Sequence, residues 1–386
     1  MASRRSNLRT SPRRILLVRL SAIGDIVFAS PLIASLRRAY PNAQIAWLVQ
    51  PESASLLAHH PDLDQVIAWP LPRWRQLWRQ RQLLSLFKEV LAAIQALRAE
   101  RFDLALDLQG LLKSALPVRW SGAPERIGLG SREGGQWLMT RRLERGPDSN
   151  WISSEYRHLA SSLGWPINDF RLRIYPGAEA ESRAAAWIAE HGLEAGYAVI
   201  CPFTTRPQKH WFDERWNILA RRIHAQFGLP TLMLGGPADV AAARSILAGS
   251  ASTGHPAPLL SLVGSTSLLS AAALIERARI LVGVDTGLSH MGIAFERPSV
   301  LLFGSTCPYT ETGSARARVL YHRRDCSPCR RRPTCGGAFS CMREIEVDEV
   351  MTSLAELLDP ANQRMQADLI AQKVQADSDA PSVSRV

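Results

Sequence analysis

Short apolar runs rich in β-branched residues, each ending in a polar turn and followed by a helical stretch, recur along this chain. Arg14 to Leu20 is the first, and Gly24-Asp25 opens a helical pattern that runs towards Tyr40. Pro41-Asn42 makes a turn, Ile45 to Val49 reads as a second strand and Val66 to Trp69 as a third. A basic, Trp-rich stretch from Arg73 to Arg81 precedes a long helical pattern from Leu83 to Glu100. Phe102 to Leu108 is another strand, with a helix from Leu111 to Trp120. The pattern loosens between Gly146 and Gly192 and then restarts. Strands are predicted at Tyr197 to Cys201, Thr231 to Leu234, Ile280 to Val284 and Ser299 to Phe303. Helices are predicted at Asp213 to Phe227, Asp239 to Leu247 and Leu268 to Arg277. Such alternation implies parallel strands with helices on both faces. The predicted class is α/β, with two doubly wound units in series and a cleft between them that strand C-termini face.

Composition narrows the class. At 386 residues, 46% hydrophobic and 21% charged, the chain suits two soluble domains. No run approaches the roughly 18 to 20 apolar residues that span a bilayer. The N-terminus, Met1-Ala2-Ser3-Arg4-Arg5, is basic, but Ile15-Leu16-Leu17-Val18 is too short for a signal-peptide core. A cytoplasmic protein is expected. Beyond Pro360 the residues are mostly polar or small, which predicts a frayed tail over 360–386.

The net charge of +11 points to an anionic partner: nucleic acid, anionic lipid or a phosphorylated substrate. Lys88, Lys113, Lys209 and Lys373 are the only lysines among 46 cations. Arginine is the better bidentate phosphate ligand, although a GC-rich genome would favour it everywhere.

Four turns at strand ends carry candidate chemistry. Asp285-Thr286-Gly287-Leu288-Ser289-His290 lies between a strand and a helix, so backbone N–H groups and the positive helix end make it an anion site. Its plainer reading is a capped turn without a ligand. Ser21-Ala22-Ile23-Gly24-Asp25 follows the first strand. Asp25 there can accept a proton from an attacking hydroxyl, or simply serve the first turn of a helix. Thr204-Thr205-Arg206-Pro207-Gln208-Lys209 gathers two hydroxyls and two cations suited to a diphosphate leaving group; a solvated loop is the alternative. Gly235-Gly236-Pro237-Ala238-Asp239 suits a ribose or base edge, or is only a turn. No Gly-x-Gly-x-x-Gly follows a strand, which disfavours a dehydrogenase.

In this order the loops resemble the bacterial lipopolysaccharide heptosyltransferases of glycosyltransferase family 9. The resemblance is carried by Arg19 to Asp25, by Thr204-Thr205 with Lys209-His210-Trp211, and by Val284 to His290. Arg73-Trp74-Arg75 and Asp107 to Ala115 draw it towards the type I branch. It covers roughly Arg14 to Leu357 and implies a glycosyltransferase-B fold, two Rossmann-like domains facing a central cleft. The implied division is a basic extension over 1–13, an acceptor-binding domain over 14–175 and a nucleotide-sugar domain over 176–359.

The implied reaction is an inverting transfer of heptose from ADP-heptose to a Kdo hydroxyl of Kdo-lipid A. Asp25 matches the general base. Thr204, Thr205 and Lys209 match diphosphate positions, with Arg206 of the same loop a further donor-binding candidate; Asp285, Thr286, Gly287 and His290 match the nucleotide-sugar loop, and Asp239 lies near a ribose-contacting acid. Acceptor candidates are Arg73, Arg75, Gln109 and Lys113. No metal cofactor is required. The acceptor implies peripheral placement at the cytoplasmic face of the inner membrane, where Arg73, Trp74, Arg75, Trp78, Arg79 and Arg81 combine charge with aromatic contact. The plainer reading puts those tryptophans in the core.

Cys326, Cys329, Cys335 and Cys341, within a Cys-rich segment over 326–341, are spaced as structural-zinc candidates or as reduced structural thiols. A similar Cys-Ser-Pro-Cys segment occurs in the type II enzymes, which add heptose to an already heptosylated core, so that branch is the alternative. A nucleic-acid or membrane-surface binder would explain the charge but not Asp25 and the strand-end loops, and no nucleic-acid partner is expected.

Overall fold

The computed structural model describes residues 11–147, 150–251, 258–306, 309–329 and 332–379. The first ten residues, 380–386 and Arg330-Arg331 of the Cys-rich segment lie outside them. The chain divides into two compact units, Met1–Asp148 with Ser153–Gly177, and Ser149–Ile152 with Ala178–Val386.

The first unit holds β1 (Arg14–Val18), β2 (Gln44–Val49), β3 (Gln65–Ala68), β4 (Leu104–Asp107), β5 (Glu125–Leu129) and β6 (Arg141–Leu143). They form one parallel sheet in the order β3-β2-β1-β4-β5-β6. On β1, Ile15 pairs with Ile45 on one side and Leu104 on the other. Ile15 to Val18 are fully buried, as a central parallel strand covered on both faces requires.

The second unit holds β7 (Ala198–Cys201), β8 (Thr231–Met233), β9 (Leu259–Ser261), β10 (Ile280–Val284), β11 (Ser299–Phe303) and β12 (Ala317–Tyr321). Its parallel sheet runs β12-β11-β10-β7-β8-β9, the same winding as the first. In each unit the chain starts in the middle, winds outward, then returns beside its first strand and winds the other way. The switch points fall between β1 and β4, and between β7 and β10. Outside the C-terminal ends of such strand pairs, diverging loops leave room for a ligand.

Four strands go beyond the sequence pattern: β5, β6, β9 and β12. All lie towards sheet edges, and no residue of Arg141-Arg142-Leu143 or Leu259-Leu260-Ser261 is fully buried. An uncovered strand need not carry a continuous apolar run, so its pattern is weak. The helix expected from Gly24 to Tyr40 is two, Ile23–Ala29 and Pro31–Ala39, because Pro31 has no N–H to continue the first. The stretch expected to fray is instead helical over Pro360–Asp379. Asp359 Oδ1 accepts from Ala361 N–H at 2.9 Å, and Ala, Gln, Leu and Met are good helix formers.

Candidate active site

At the first switch point, Asp25 stands in the opening turn of helix Ile23–Ala29. Its carboxylate turns back to accept from Ala22 N–H at 3.1 Å. The guanidinium of Arg19, which follows Val18 at the end of β1, lies 2.6 Å from the same oxygen, Oδ2. Arg19 is nearly inaccessible, whereas the Asp25 side chain is 42% exposed. Burial opposes the Arg19 charge, but Tyr156, Asp25 and Glu155 outweigh it and the guanidinium stays charged. Arg19 also donates to Leu108 O at 2.8 Å, which ties the loop after β1 to the loop after β4. Both contacts on Asp25 fall on Oδ2; none of the described ones involves Oδ1.

Gln109 locks the same two loops. Its side-chain oxygen accepts from Leu20 N–H at 3.1 Å and its carbonyl from Arg145 at 2.9 Å. It is buried, with its side-chain oxygen engaged within the protein. Asp107, at the end of β4, accepts from the N–H groups of Gln109 (3.0 Å) and Gly110 (2.9 Å). Burial pushes the Asp107 carboxyl up, against those hydrogen bonds. Gly110 has φ +71° and a Cβ there would lie 2.6 Å from Leu129 O, so only glycine fits this turn. Lys113, near the start of helix Leu112–Trp120, brings Nζ to 3.5 Å from Ser21 Oγ. Lys113 and Asp25 therefore share one loop cluster.

Arg73 and Arg75 do not. They sit on helix Leu71–Arg79, which follows β3, two strands from β1. Arg73 reaches Glu89 at 3.4 Å. The two tryptophans of this helix separate: Trp74 is buried edge-on against Trp69, and Trp78 is 66% exposed.

At the second switch point the chemistry converges on Asp285. It follows β10 and accepts from Lys209 Nζ at 2.6 Å and Thr306 Oγ1 at 2.7 Å on Oδ2. His290 Nε2 lies 3.2 Å from its Oδ1. Burial would raise the Asp285 pKa, but His290 and Lys209 overcome it and hold the carboxyl well below the usual carboxylate range. Tyr309 OH lies 2.6 Å from His290 Nδ1. Burial pushes the Tyr309 phenol up, so it keeps its proton. With hydrogen on Nε2, His290 donates to Asp285 while Nδ1 accepts from Tyr309.

The loop after β7 delivers Lys209 to this carboxylate. His210 Nε2 lies 2.8 Å from Thr204 O, which closes the loop, and buried Trp211 donates to Ile345 O at 3.0 Å, which anchors its end. Thr204 and Arg206 are half-buried and Thr205 is exposed. Thr286, the N-cap of helix Gly287–Ala294, makes no side-chain cap bond, so its hydroxyl does not occupy the first-turn N–H groups. Gly283 on β10 lets this helix approach: a Cβ there would meet Ser289 Oγ at 2.1 Å.

Asp239 lies after β8, beside β7, with Oδ2 accepting from Gly236 N–H at 2.8 Å. Cys326, Cys329 and Cys335 are half-buried, Cys341 is buried, and all four are free thiols. Among the described residues no set of three or more His, Cys, Asp and Glu side chains is arranged to hold a metal. Sequence reasoning assigned no role to Arg19, Thr306 or Tyr309. Arg19 is the one with a legible mark, a charge closing an apolar run beside an acid.

Two doubly wound parallel units with polar loops at both switch points define the glycosyltransferase-B class. A model of glycosyltransferase family 9 (heptosyltransferase) matches residues 90–338, well over half the chain. The chain belongs to that family and is a glycosyltransferase. It is 30% identical to lipopolysaccharide heptosyltransferase 1 of Pseudomonas aeruginosa, over 82% of this chain and 86% of that protein. It is 26% identical to lipopolysaccharide heptosyltransferase 2 of Escherichia coli K12, over 80% and 90%. The crystal structure of a family 9 glycosyltransferase from Veillonella parvula shares the fold, with a TM-score of 0.71 at 20% identity over 90% and 97% of the two chains.

Proposed function

We propose that this enzyme transfers L-glycero-D-manno-heptose from ADP-heptose to a Kdo hydroxyl of Kdo-lipid A, with inversion at the anomeric carbon. The observation that carries the reading is the half-exposed Asp25 carboxylate, anchored through Oδ2 by a buried arginine while Oδ1 makes no described contact. The acceptor oxygen attacks the anomeric carbon, the bond to the diphosphate breaks, and the hydroxyl proton passes to Asp25. The anchoring fixes where that proton goes.

The second unit would hold the donor. Lys209, kept in place by Asp285, neutralises charge growing on the departing ADP, and Thr204, Thr205, Arg206 and the first turn after Thr286 surround the diphosphate. His290 positions Asp285 from its other side. Gly287 admits the ligand to the backbone, and Asp239 would meet the ribose. The first unit would hold the acceptor, with Lys113 beside Asp25, and Arg73 and Arg75 farther out on phosphorylated glycolipid. The solved Escherichia coli heptosyltransferase WaaC in complex with ADP-2-deoxy-2-fluoro heptose supports this donor class. The acceptor places the working enzyme at the cytoplasmic face of the inner membrane.

The test is transfer of radiolabelled heptose from ADP-heptose to Kdo-lipid A and to heptosyl-Kdo-lipid A, with EDTA present. Transfer to the first alone is expected. Transfer only to the second would move the enzyme to the type II reaction, and loss of transfer in EDTA would contradict a diphosphate held by protein groups alone.

A further inference from the structure

Helix Leu83–Ala99 is apolar on two faces. Leu86, Val90, Ala93 and Leu97 pack against the core of the first unit. On the opposite side Leu84, Phe87 and Leu91 recur at helical spacing and are 80%, 66% and 42% exposed. Leu83 and, from the neighbouring helix Leu71–Arg79, Trp78 extend this ridge at 55% and 66% exposure. An exposed apolar patch of this kind marks an interaction surface.

The surrounding charge says what covers it. Arg73, Arg75, Arg79, Arg81 and Lys88 lie on the same two helices and the turn between them, and no acid occurs between Leu71 and Lys88. Glu89, the first acid, is paired with Arg73. Two copies meeting through this face would set Arg79, Arg81 and Lys88 against their own kind. A nucleic acid would answer the cations but leave the leucines and Phe87 in water. A bilayer bearing anionic headgroups answers both: aliphatic and aromatic side chains enter the acyl boundary while arginine and lysine heads stay among phosphates. No described helix is long and apolar enough to cross a membrane.

We infer that the exposed face of helices Leu71–Arg79 and Leu83–Ala99 docks the enzyme on an anionic phospholipid surface. Its use rests on the proposed acceptor being a membrane glycolipid; the face itself does not. Helix Leu71–Arg79 starts just past the C-terminal end of β3, on the sheet edge that carries Asp25, so a protein seated here keeps that edge near the lipid.

The experiment is co-sedimentation of the full-length protein with vesicles of phosphatidylcholine containing about 30 mol% phosphatidylglycerol, against phosphatidylcholine alone. Strong preference for the anionic vesicles is expected, weakening in about 0.5 M salt. Leu84→Ser with Phe87→Ser should lower partitioning about tenfold. Arg79→Gln with Lys88→Gln should lower it about tenfold at low salt and less at high salt. Equal binding to both vesicle types, no binding, or unaltered binding by either double variant would overturn the inference. So would a wild-type dimer in sedimentation velocity that the Leu84→Ser/Phe87→Ser variant dissolves. Transfer to a deacylated, water-soluble Kdo acceptor should be unchanged in that variant; its loss would show that the substitutions act through the fold. A wild type that binds anionic vesicles yet uses no acceptor would sink the transfer reading and leave this one standing.

Discussion

Asp25 and Asp285 are carboxylates at the switch points of two units with the same winding, and they sit in opposite settings. Asp25 is 42% exposed, and both its contacts fall on one oxygen. Asp285 is 17% exposed and has both oxygens engaged, by Lys209, Thr306 and His290. A carboxylate that must take a proton needs an oxygen within reach of substrate. A carboxylate that must hold an ammonium in place needs burial and many donors. In the proposed reaction this difference in depth gives proton uptake to Asp25 and the holding of Lys209 to Asp285.

The largest expected break in this contrast is at Asp25. Replacing it by Asn should lower kcat by about 10²–10⁴-fold, the usual worth of a positioned general base, with little change in thermal stability. A comparable loss of Tm would make Asp25 a helix-cap residue first. Asp285→Ala should act the other way round. It leaves Lys209 partly buried without its partner, at a cost of about 3–5 kcal/mol in denaturant unfolding. Stability within about 1 kcal/mol of wild type would deny Asp285 its scaffold role.

Acidification should separate the units. In the first, burial lowers His60 from its ordinary 6.5 to about 4, so the folded ring stays neutral while the unfolded one takes a proton. Stability is therefore lost as pH falls from 6.5 towards 4, by about 2–3 kcal/mol, and His60→Asn should flatten that slope. The depressed Asp285 has the same sign in a lower window: its stabilisation is full above the ordinary carboxylate range and is lost as pH falls below that range towards its much lower folded value. Urea midpoints between pH 7 and 4 that ignore His60→Asn would remove this distinction. The smallest effect is expected at Tyr309→Phe, about 1 kcal/mol from one hydrogen bond to His290, read as a modest rise in donor KM at unchanged fold.

The sequence made the central strands and the strand-end loops legible because buried parallel strands are continuous apolar runs that stop at polar turns. β6 and β9 escaped because none of their side chains is fully buried, so no continuous apolar run marks them. Asp25, Lys209 and Asp285 were readable as residue types in loops. Their partners were not: Lys209 and Asp285 are 76 residues apart, and nothing in a linear pattern pairs them. Gln109 reads as a free amide at a strand end until its oxygen is seen on Leu20. Trp74 and Trp78 have equal standing in the sequence, and only packing separates core from surface.

The central contrast, chemistry at Asp25 and donor holding around Asp285, is tested most directly by calorimetric titration of ADP-heptose into two variants, Asp25→Asn and Lys209→Met. Donor affinity should stay within about threefold of wild type in the first and fall about 10- to 100-fold in the second, as loss of a charge-assisted contact to phosphate implies. Equal weakening in both, or wild-type affinity in Lys209→Met, would contradict the division of work between the two carboxylates.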